Sequence, residues 1–175
     1  MTREEFENSF RTTLTAGGLA VPTYAVVVPV IWREHGSAVL LEVRAAGIPQ
    51  AGDPCFPGGR IEHGETPAQA AAREMEEELG IRVDPDRFLG QLPTVQTILG
   101  GQTNVFVCTV TPKDVAGMRR NREEVSETMR VPVSVFLEQP GASCYNLGGH
   151  VIWGMTAGVI RHFCAAWKKA ALPDD

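Results

Sequence analysis

The segment between Thr66 and Gly80 constrains the fold most, because both ends of a helix can be read from it. Thr66 is a good N-cap, Pro67 suits the first helical position, and Gln69 completes a capping box with Thr66. Gly80 suits the position that ends a helix. The pattern predicts a helix over about Pro67 to Leu79, with an uncertainty of roughly two to four residues at each end.

This helix has an apolar face and an acidic face. At about 100° per residue, small and apolar side chains share one face, which we expect to pack on a sheet: Ala68, Ala71, Ala72, Met75 and Leu79. Glu74, Glu77 and Glu78 fall together on a different face, where like charges destabilise an isolated helix. A hard divalent cation relieves such repulsion, because carboxylate oxygens are the ligands that magnesium prefers.

Other helices and strands are predicted on both sides of this segment. A capping box at Thr2 begins an N-terminal helix over about residues 2–16, which Gly17-Gly18 ends, and a closing amphipathic helix covers about residues 156–170. Valine-rich or apolar runs predict strands at Tyr24–Trp32, Ala38–Arg44, Phe88–Val95 and Thr103–Val110, and a strand or bend at Val131–Phe136. Pro29 favours an edge position or a bulge in the first strand. The order of elements in these 175 residues predicts one α/β domain, 1–175, with a mixed sheet covered on both faces.

Composition excludes several classes of function. Apolar residues make up 43% of the chain and charged residues 21%, as in ordinary globular proteins. The net charge of −5 argues against a nucleic-acid partner, and it raises the question of how an acidic chain would bind an anionic ligand. The longest apolar stretch, Ala25 to Ile31, is too short to span a bilayer, so we expect no membrane partner.

The cysteines and histidines predict no zinc or redox centre. They have neither CxxC pairs nor ligand spacing, and they are Cys55, Cys108, Cys144, Cys164, His35, His63, His150 and His162. Without a signal peptide at the N-terminus, we expect reduced thiols in a cytoplasmic protein. Cys55 would be reactive only if its pKa were lowered.

Taken alone, the acidic run Glu76–Glu78 is typical of a solvated helix face, and glycine pairs before helices are common. The joint pattern is more specific. Phe56-Pro57-Gly58-Gly59 precedes the helix, and glycine lets the backbone approach a ligand closely. Arg73 can pair with Glu77 four residues on or with Glu65 from the loop, and the sequence leaves this choice open.

Together these residues resemble the Nudix box, which is written G-x5-E-x7-R-E-U-x-E-E-x-G-U with U aliphatic. The matching residues over 59–81 are Gly59, Glu65, Arg73, Glu74, Glu77, Glu78, Gly80 and Ile81. Met75 departs from the aliphatic position, which is a mild change because methionine fills similar space.

The resemblance implies an α/β/α sandwich with a mixed sheet, and a hydrolase that cleaves a nucleoside diphosphate linked to another group, using Mg²⁺ or Mn²⁺. It implies that Glu77 and Glu78 are metal ligands, that Glu74 is a further ligand or the catalytic base, and that Gly59 offers backbone near the metal. Glu65 and Arg73 would hold the loop and helix in register, so that Arg73, Glu74 and Glu77 form the catalytic set. Bound cations would also explain how an acidic chain binds an anionic ligand, because the cations bind the phosphate groups.

In several Nudix enzymes a glutamate from a late loop joins the metal site or acts as the base. Glu124 is the candidate here, within an acidic patch that includes Glu123 and Glu127. A solvated loop is the alternative interpretation.

A finer resemblance concerns the substrate. Leu40-Leu41, Arg44-Ala45, Gly52 and Phe56 to Gly59 are similar to the signature upstream of the box in coenzyme A pyrophosphatases, which split coenzyme A into 3′,5′-ADP and 4′-phosphopantetheine. The resemblance implies that substrate is bound by four residues: Arg44, Phe56, Pro57 and Gly58.

The match to this signature has three departures. Glu42 replaces the usual threonine, the interval between Arg44 and Gly52 is one residue short, and the second arginine is missing near Ile48 or Pro49. An arginine there could have bound a phosphate bidentately. Coenzyme A or an acyl derivative is therefore the first candidate substrate. ADP-ribose or a dinucleotide is the second, and a nucleoside triphosphate is the third.

Two other functions use the same fold. A nucleotide-sensing module without turnover would be expected to lose a box carboxylate, and none is lost here. An isomerase would carry a catalytic cysteine and a histidine cluster, and the sequence has no comparable cluster. We expect a nucleotide-containing small molecule as the partner, and pairing as a homodimer is left open. Trp153 could stack a base, but beside Gly154 at a helix start it is expected in the core.

Overall fold

The computed structural model describes residues 1–14, 23–97 and 100–171. In chain order the elements are α1 (Arg3–Thr13), β1 (Tyr24–Ile31), β2 (Ala38–Arg44), β3 (Pro54–Cys55), β4 (Gly58–Arg60), α2 (Pro67–Leu79), a 3-10 turn (Pro85–Arg87), β5 (Gly90–Gln96), β6 (Gln102–Val110), α3 (Pro112–Ala116), β7 (Val125–Pro132), α4 (Val133–Leu137), β8 (Tyr145–Leu147), β9 (His150–Ile152) and α5 (Gly154–Ala171).

Seven of these strands form a mixed sheet. Its order is β3-β2-β1-β6-β5, with β4 paired to β1 and β7 paired to β2. β1 and β6 are parallel, and the other pairs are antiparallel. The strands β8 and β9 form a separate hairpin. The predicted mixed sheet is confirmed.

β1 changes its neighbour halfway along. Residues 24–26 pair with β4 and residues 30–31 pair with β2, because residues 54–60 insert between β1 and β2. We call this insertion point the fork. The N–H of Val27 donates to the Pro57 carbonyl across the fork. Pro29 comes two residues later, so its backbone nitrogen is on the same side of the strand. Proline has no N–H to donate, so it is tolerated here, between the two stretches of pairing. The prediction of an edge position or a bulge at Pro29 was wrong.

Helices cover both faces of the sheet, as the alternation of side chains along β1 requires. Val26, Val28 and Val30 join the core under α1 and α5. Ala25, Val27 and Ile31 join the core under α2. The first core contains a group of aromatic rings in mutual contact, which are Phe6, Phe10, Trp32, Phe163 and Trp167. This is the α/β/α arrangement expected from the sequence.

Several predicted boundaries differ from the observed ones. α1 ends at Thr13, short of residue 16, and Leu14 is extended. The hydroxyls of Thr12 and Thr13 donate hydrogen bonds to the carbonyls of Ser9 and Phe10 in the preceding turn. Such side-chain bonds compete with the backbone bonds that would continue the helix. The predicted stop at Gly17-Gly18 and the frayed end at residues 172–175 lie outside the described residues. The apolar run Val131–Phe136 divides at Pro132, which ends β7 before α4 begins.

α5 begins two residues before the predicted start and runs to Ala171. No helix in the described part of the chain combines the length and the apolar character that crossing a bilayer requires.

Candidate active site

Arg73 forms ion pairs with three glutamates in and beside α2. Its Nε lies 2.6 Å from Glu65 Oε1, and its Nη1 lies 2.8 Å from Glu74 Oε1 and 3.1 Å from Glu77 Oε2. Its Nη2 donates to the Arg60 carbonyl at 3.1 Å. Both partners left open by the sequence are therefore used, together with Glu74. The guanidinium lowers the pKa of Glu65, and Glu65 raises the pKa of Arg73. Arg73 thus ties the helix to the loop and to β4.

Glu78 lies beneath the helix rather than on its exposed acidic face. It is only 5% exposed, and its Oε2 accepts a hydrogen bond from the Gly58 N–H at 2.9 Å. Burial raises the pKa of Glu78, and the negative charge of Glu42 raises it further. The prediction that three carboxylates share one face was wrong for Glu78, because it follows Met75 by three residues and turns inward with it.

Glu74 packs against the backbone of Gly59. A Cβ built on Gly59 would lie 2.9 Å from Glu74 Oε2 and closer still to Cδ and Oε1. Only glycine therefore allows this carboxylate to sit against β4. Burial raises the pKa of Glu74, and the hydrogen bond from Arg73 opposes that shift.

Two more glutamates lie at the rim of this region. The side chain of Glu77 is 56% exposed and contacts Arg73. Glu124 is also exposed, and it is brought near α2 by its loop, because Asn121 donates its backbone N–H to the Glu78 carbonyl and its side-chain amide to Glu124 Oε1. The charge of Glu124 raises the pKa of both Glu74 and Glu78. The candidate from the late loop is thus close enough to influence the box carboxylates.

A further carboxylate, Glu42 of β2, was not predicted as part of this site. It is 2% exposed, its Oε1 accepts a weak bond from the Cys55 thiol at 3.5 Å, and its Oε2 is buried without a hydrogen-bond partner. Burial raises the pKa of Glu42, and the charges of Glu124 and Glu74 add to the shift. The available signal in the sequence was a single carboxylate inside the apolar strand Val39–Val43.

The residues expected to bind substrate lie in and beside the fork. Phe56 is buried in the core under α1 and α5, and the carbonyl of Pro57, also buried, accepts from Val27. The Arg44 side chain is half-buried and donates from Nε to the Pro49 carbonyl at 2.7 Å. The backbone N–H of Gly58 already donates to Glu78, and the side chains of Phe56 and Pro57 are buried within the fork.

The loop between β2 and β3 contacts the β8–β9 hairpin. The His150 ring lies 3.4 Å from the Gly52 carbonyl, and the indole N–H of Trp153, just after the hairpin, donates to Asp53 at 3.0 Å. His150 also lies 2.9 Å from Glu127 of β7. Trp153 is 43% exposed, so its expected place in the core was wrong. The helix α5 begins only after it, at Gly154. Burial raises the pKa of the Cys55 thiol, and the negative charge of Glu42 raises it further. The surroundings of Cys55 therefore disfavour its reactive thiolate form.

The donor set around Gly58 and Gly59 suits a hard cation, because it consists of carboxylate and backbone oxygens and includes the unpartnered Oε2 of Glu42. Within the described ranges, however, no group of three or more His, Cys, Asp or Glu side chains is arranged to hold a metal ion as it stands. Glu74 and Glu77 contact Arg73, and Glu78 contacts Gly58. Cation binding therefore requires these side chains to exchange their present partners for the ion.

Comparison with known proteins identifies the family. The profile of the NUDIX domain matches residues 21–145 of this chain. Curated relatives include the "Uncharacterized Nudix hydrolase NudL" of Escherichia coli (strain K12), which is 30% identical over 152 residues, and that of Citrobacter koseri, which is 29% identical over 152 residues. Each alignment covers 78% of this chain and 78% of the relative.

Solved structures agree in fold. The NUDIX domain of Shewanella oneidensis NrtR, cocrystallised with ADP ribose, matches with a TM-score of 0.59 at 19% identity, covering 93% of this chain and 97% of that one. A binary complex of a C. elegans Ap4A hydrolase matches with a TM-score of 0.58 at 16% identity, covering 81% of this chain and 96% of that one. At such low sequence identities, these matches support the fold and nothing finer. With the domain profile spanning most of the sequence, the chain belongs to the Nudix family, and it is a hydrolase of the pyrophosphatase class.

Proposed function

We propose that this protein cleaves the diphosphate linkage of a nucleotide-containing small molecule with Mg²⁺ or Mn²⁺ bound at the α2 carboxylates. One observation carries the proposal: two adjacent residues of β4 position two carboxylates of α2. Glu74 is held by Arg73 against Gly59, and Glu78 accepts the N–H of Gly58. Glu77 and Glu78 serve as ligands, Glu74 serves as a ligand or as the base, and Gly59 adds backbone.

A divalent cation bound there would screen the diphosphate, orient a water and stabilise the charge on the leaving oxygen. The chain's own residues supply the positioning. Arg73 fixes Glu74 from one side while the backbone of Gly59 limits it from the other. The half-buried Glu74, with its raised pKa, is suited to accept a proton from the attacking water. Glu124 at the rim is the second candidate for this step.

For the substrate we propose coenzyme A or an acyl derivative. The residues that resemble the coenzyme A signature surround the fork, and the Arg44 guanidinium, whose Nε donates to the Pro49 carbonyl, has further N–H groups that can bind a phosphate. The exposed ring of Trp153 stands at the loop that follows Arg44 and can stack an adenine base.

ADP-ribose or a dinucleotide is the second candidate. The missing arginine and the threonine-to-glutamate change at Glu42 both remove features of the coenzyme A signature. In addition, the matched NrtR domain was crystallised with ADP ribose, and another matched protein is an Ap4A hydrolase.

The deciding experiment is a panel of substrates with Mg²⁺ and Mn²⁺, in which products are separated by chromatography. We expect release of 3′,5′-ADP from coenzyme A at the highest kcat/KM in the panel. If coenzyme A is inert while ADP-ribose yields AMP, the substrate proposal is overturned and the second candidate takes its place.

The same assay tests the metal site through Glu77→Gln. This side chain is mostly exposed, so the variant should keep the thermal midpoint of the wild type. Its kcat should fall by about two orders of magnitude or more, as for loss of a catalytic group. Near-wild-type turnover would contradict the role of Glu77 as a ligand.

A further inference from the structure

Glu42 is a buried carboxylate whose cost the fold does not offset. Its Oε2 has no hydrogen-bond partner, and its Oε1 has only the weak thiol donor of Cys55. A buried charged group without a strong partner is destabilising, and an apolar residue of the same size would be expected to serve the fold better. The position therefore calls for a partner other than the side chains that surround it.

The pairing of strands places Glu42 beside the carboxylates of α2. Glu42 is opposite Cys55 across the β2–β3 ladder. Three residues later, the N–H of Gly58 donates to Glu78. Glu42 also shares a sheet face with Leu40, which belongs to the core under α2. Glu42 thus approaches from the sheet, while Glu78 approaches from the helix.

We propose that Glu42 is a metal-binding carboxylate of this site, contributed by β2 from below the helix and outside the Nudix box. The proposal rests on the proposed function, because it assigns one more ligand to the same divalent cation site. A Mg²⁺ or Mn²⁺ ion would give Oε2 the partner that it lacks, and the ion would offset the repulsion between Glu42 and Glu78.

The test measures Mn²⁺ binding directly, from the electron paramagnetic resonance signal of free Mn²⁺, and needs no turnover. The variants are Glu42→Gln, which keeps the shape and removes the charge, and Glu42→Thr, which introduces the residue usual in the coenzyme A signature. Glu76→Gln is the matched control, because Glu76 lies on α2 among the box carboxylates, is exposed, and has only a distant partner in Arg82 at 4.0 Å. Glu77→Gln reports on the box itself.

We expect both Glu42 variants to bind Mn²⁺ at least about tenfold more weakly than the wild type, or to lose one bound ion, which is a loss of about 1.4 kcal/mol or more. Glu76→Gln should stay within about twofold of the wild type, since it changes the charge of an exposed group alone. In EDTA, Glu42→Gln should have a higher thermal midpoint than the wild type, and its gain on adding Mn²⁺ should be smaller.

Two outcomes overturn the proposal. One is wild-type Mn²⁺ affinity and stoichiometry in the Glu42 variants while Glu77→Gln loses affinity, which leaves the proposed function intact. The other is unfolding or a lower midpoint of both Glu42 variants in EDTA, which would make Glu42 a residue of the fold. Failure of the wild type itself to bind Mn²⁺ would instead refute the proposed function, and this inference with it.

Discussion

At the scale of single residues, two adjacent glycines serve different purposes. A Cβ on Gly58 would lie 2.6 Å from the Val26 Cα and overlap the backbone of β1. The three atoms nearest to a Cβ on Gly59 all belong to the carboxylate of Glu74, which is the end of a flexible side chain. Gly58 is therefore required by the sheet, and Gly59 by the site.

We predict that Gly58→Ala and Gly59→Ala separate stability from activity. Gly58→Ala should lower the free energy of unfolding by about 1–3 kcal/mol, because backbone must move to admit the methyl group. Gly59→Ala should stay within about 1 kcal/mol of the wild type in stability. Its kcat should nevertheless fall by about a hundredfold, since displacing Glu74 by about 1 Å misplaces a reacting group.

Urea denaturation and initial rates measure the two effects. Gly117→Ala is the control, because a Cβ there has no contact shorter than 3.5 Å and the residue lies at the end of α3. Equal losses of stability in the two variants next to the fork would refute the distinction.

The site could be predicted from the sequence only where its residues are close along the chain. Glu74, Glu77, Glu78 and Arg73 lie on one helix, so the spacing of the residues brings them together. Glu42, which we propose as a further ligand, is positioned by the pairing of β2 with β3, a contact between segments that no local pattern specifies. The inward turn of Glu78 was missed for a related reason, because its partner is the N–H of Gly58 from a different strand.

At the scale of elements, α2 is the best-specified part of the chain. Its observed bounds are those predicted, because Thr66 and Gln69 form the capping box and Gly80 adopts the left-handed conformation after the last turn. Arg73 then fixes where the helix lies, since it joins the loop through Glu65 and β4 through the Arg60 carbonyl.

We predict that Arg73→Lys keeps the fold and lowers kcat by about ten- to a hundredfold. A lysine ammonium cannot reproduce the forked contacts of a guanidinium with Glu65 and Glu74 at once. The carboxylates would lose their common anchor, so the Mg²⁺ concentration that gives half-maximal rate should rise. Arg82→Lys is the control, because Arg82 is exposed and has only its distant contact with Glu76. Unchanged kinetics in Arg73→Lys would show that charge alone suffices at this position.

The elements missed from the sequence are short or polar. β3, β4, β8 and β9 have two or three residues each, too few to establish an alternating pattern. The first half of β7 reads Val125-Ser126-Glu127-Thr128, which was interpreted as part of an acidic loop. It is a strand because its backbone pairs with β2, although Ser126 and Glu127 are exposed and only Val125 joins the core.

At the scale of the whole molecule, the two faces of the sheet differ in what they contain. The face under α1 and α5 holds the aromatic core, and the face under α2 carries the site. Phe10 belongs to the first face, where its ring centroid lies 5.2 Å from that of Phe6 and 5.9 Å from that of Phe163.

We predict that Phe10→Leu lowers the free energy of unfolding by about 1–2 kcal/mol, because a buried ring loses contacts. The kcat at a temperature well below the midpoint should not change, since the site lies across the sheet. Val151→Ala, at an exposed position, is the control and should alter stability by less than about 0.5 kcal/mol. A kcat that falls together with stability in Phe10→Leu would show that the two faces are coupled.

The fork has a consequence for how related enzymes can differ. The branch β4 is anchored on β1 and the branch β3 on β2, so each keeps its own ladder when the segment 45–53 ahead of them gains or loses residues. Length changes in that segment would reshape the surface beside the fork while the carboxylates of α2 stay where they are. A divided sheet of this kind lets ligand preference diversify through insertions and deletions in one surface loop, at little risk to folding.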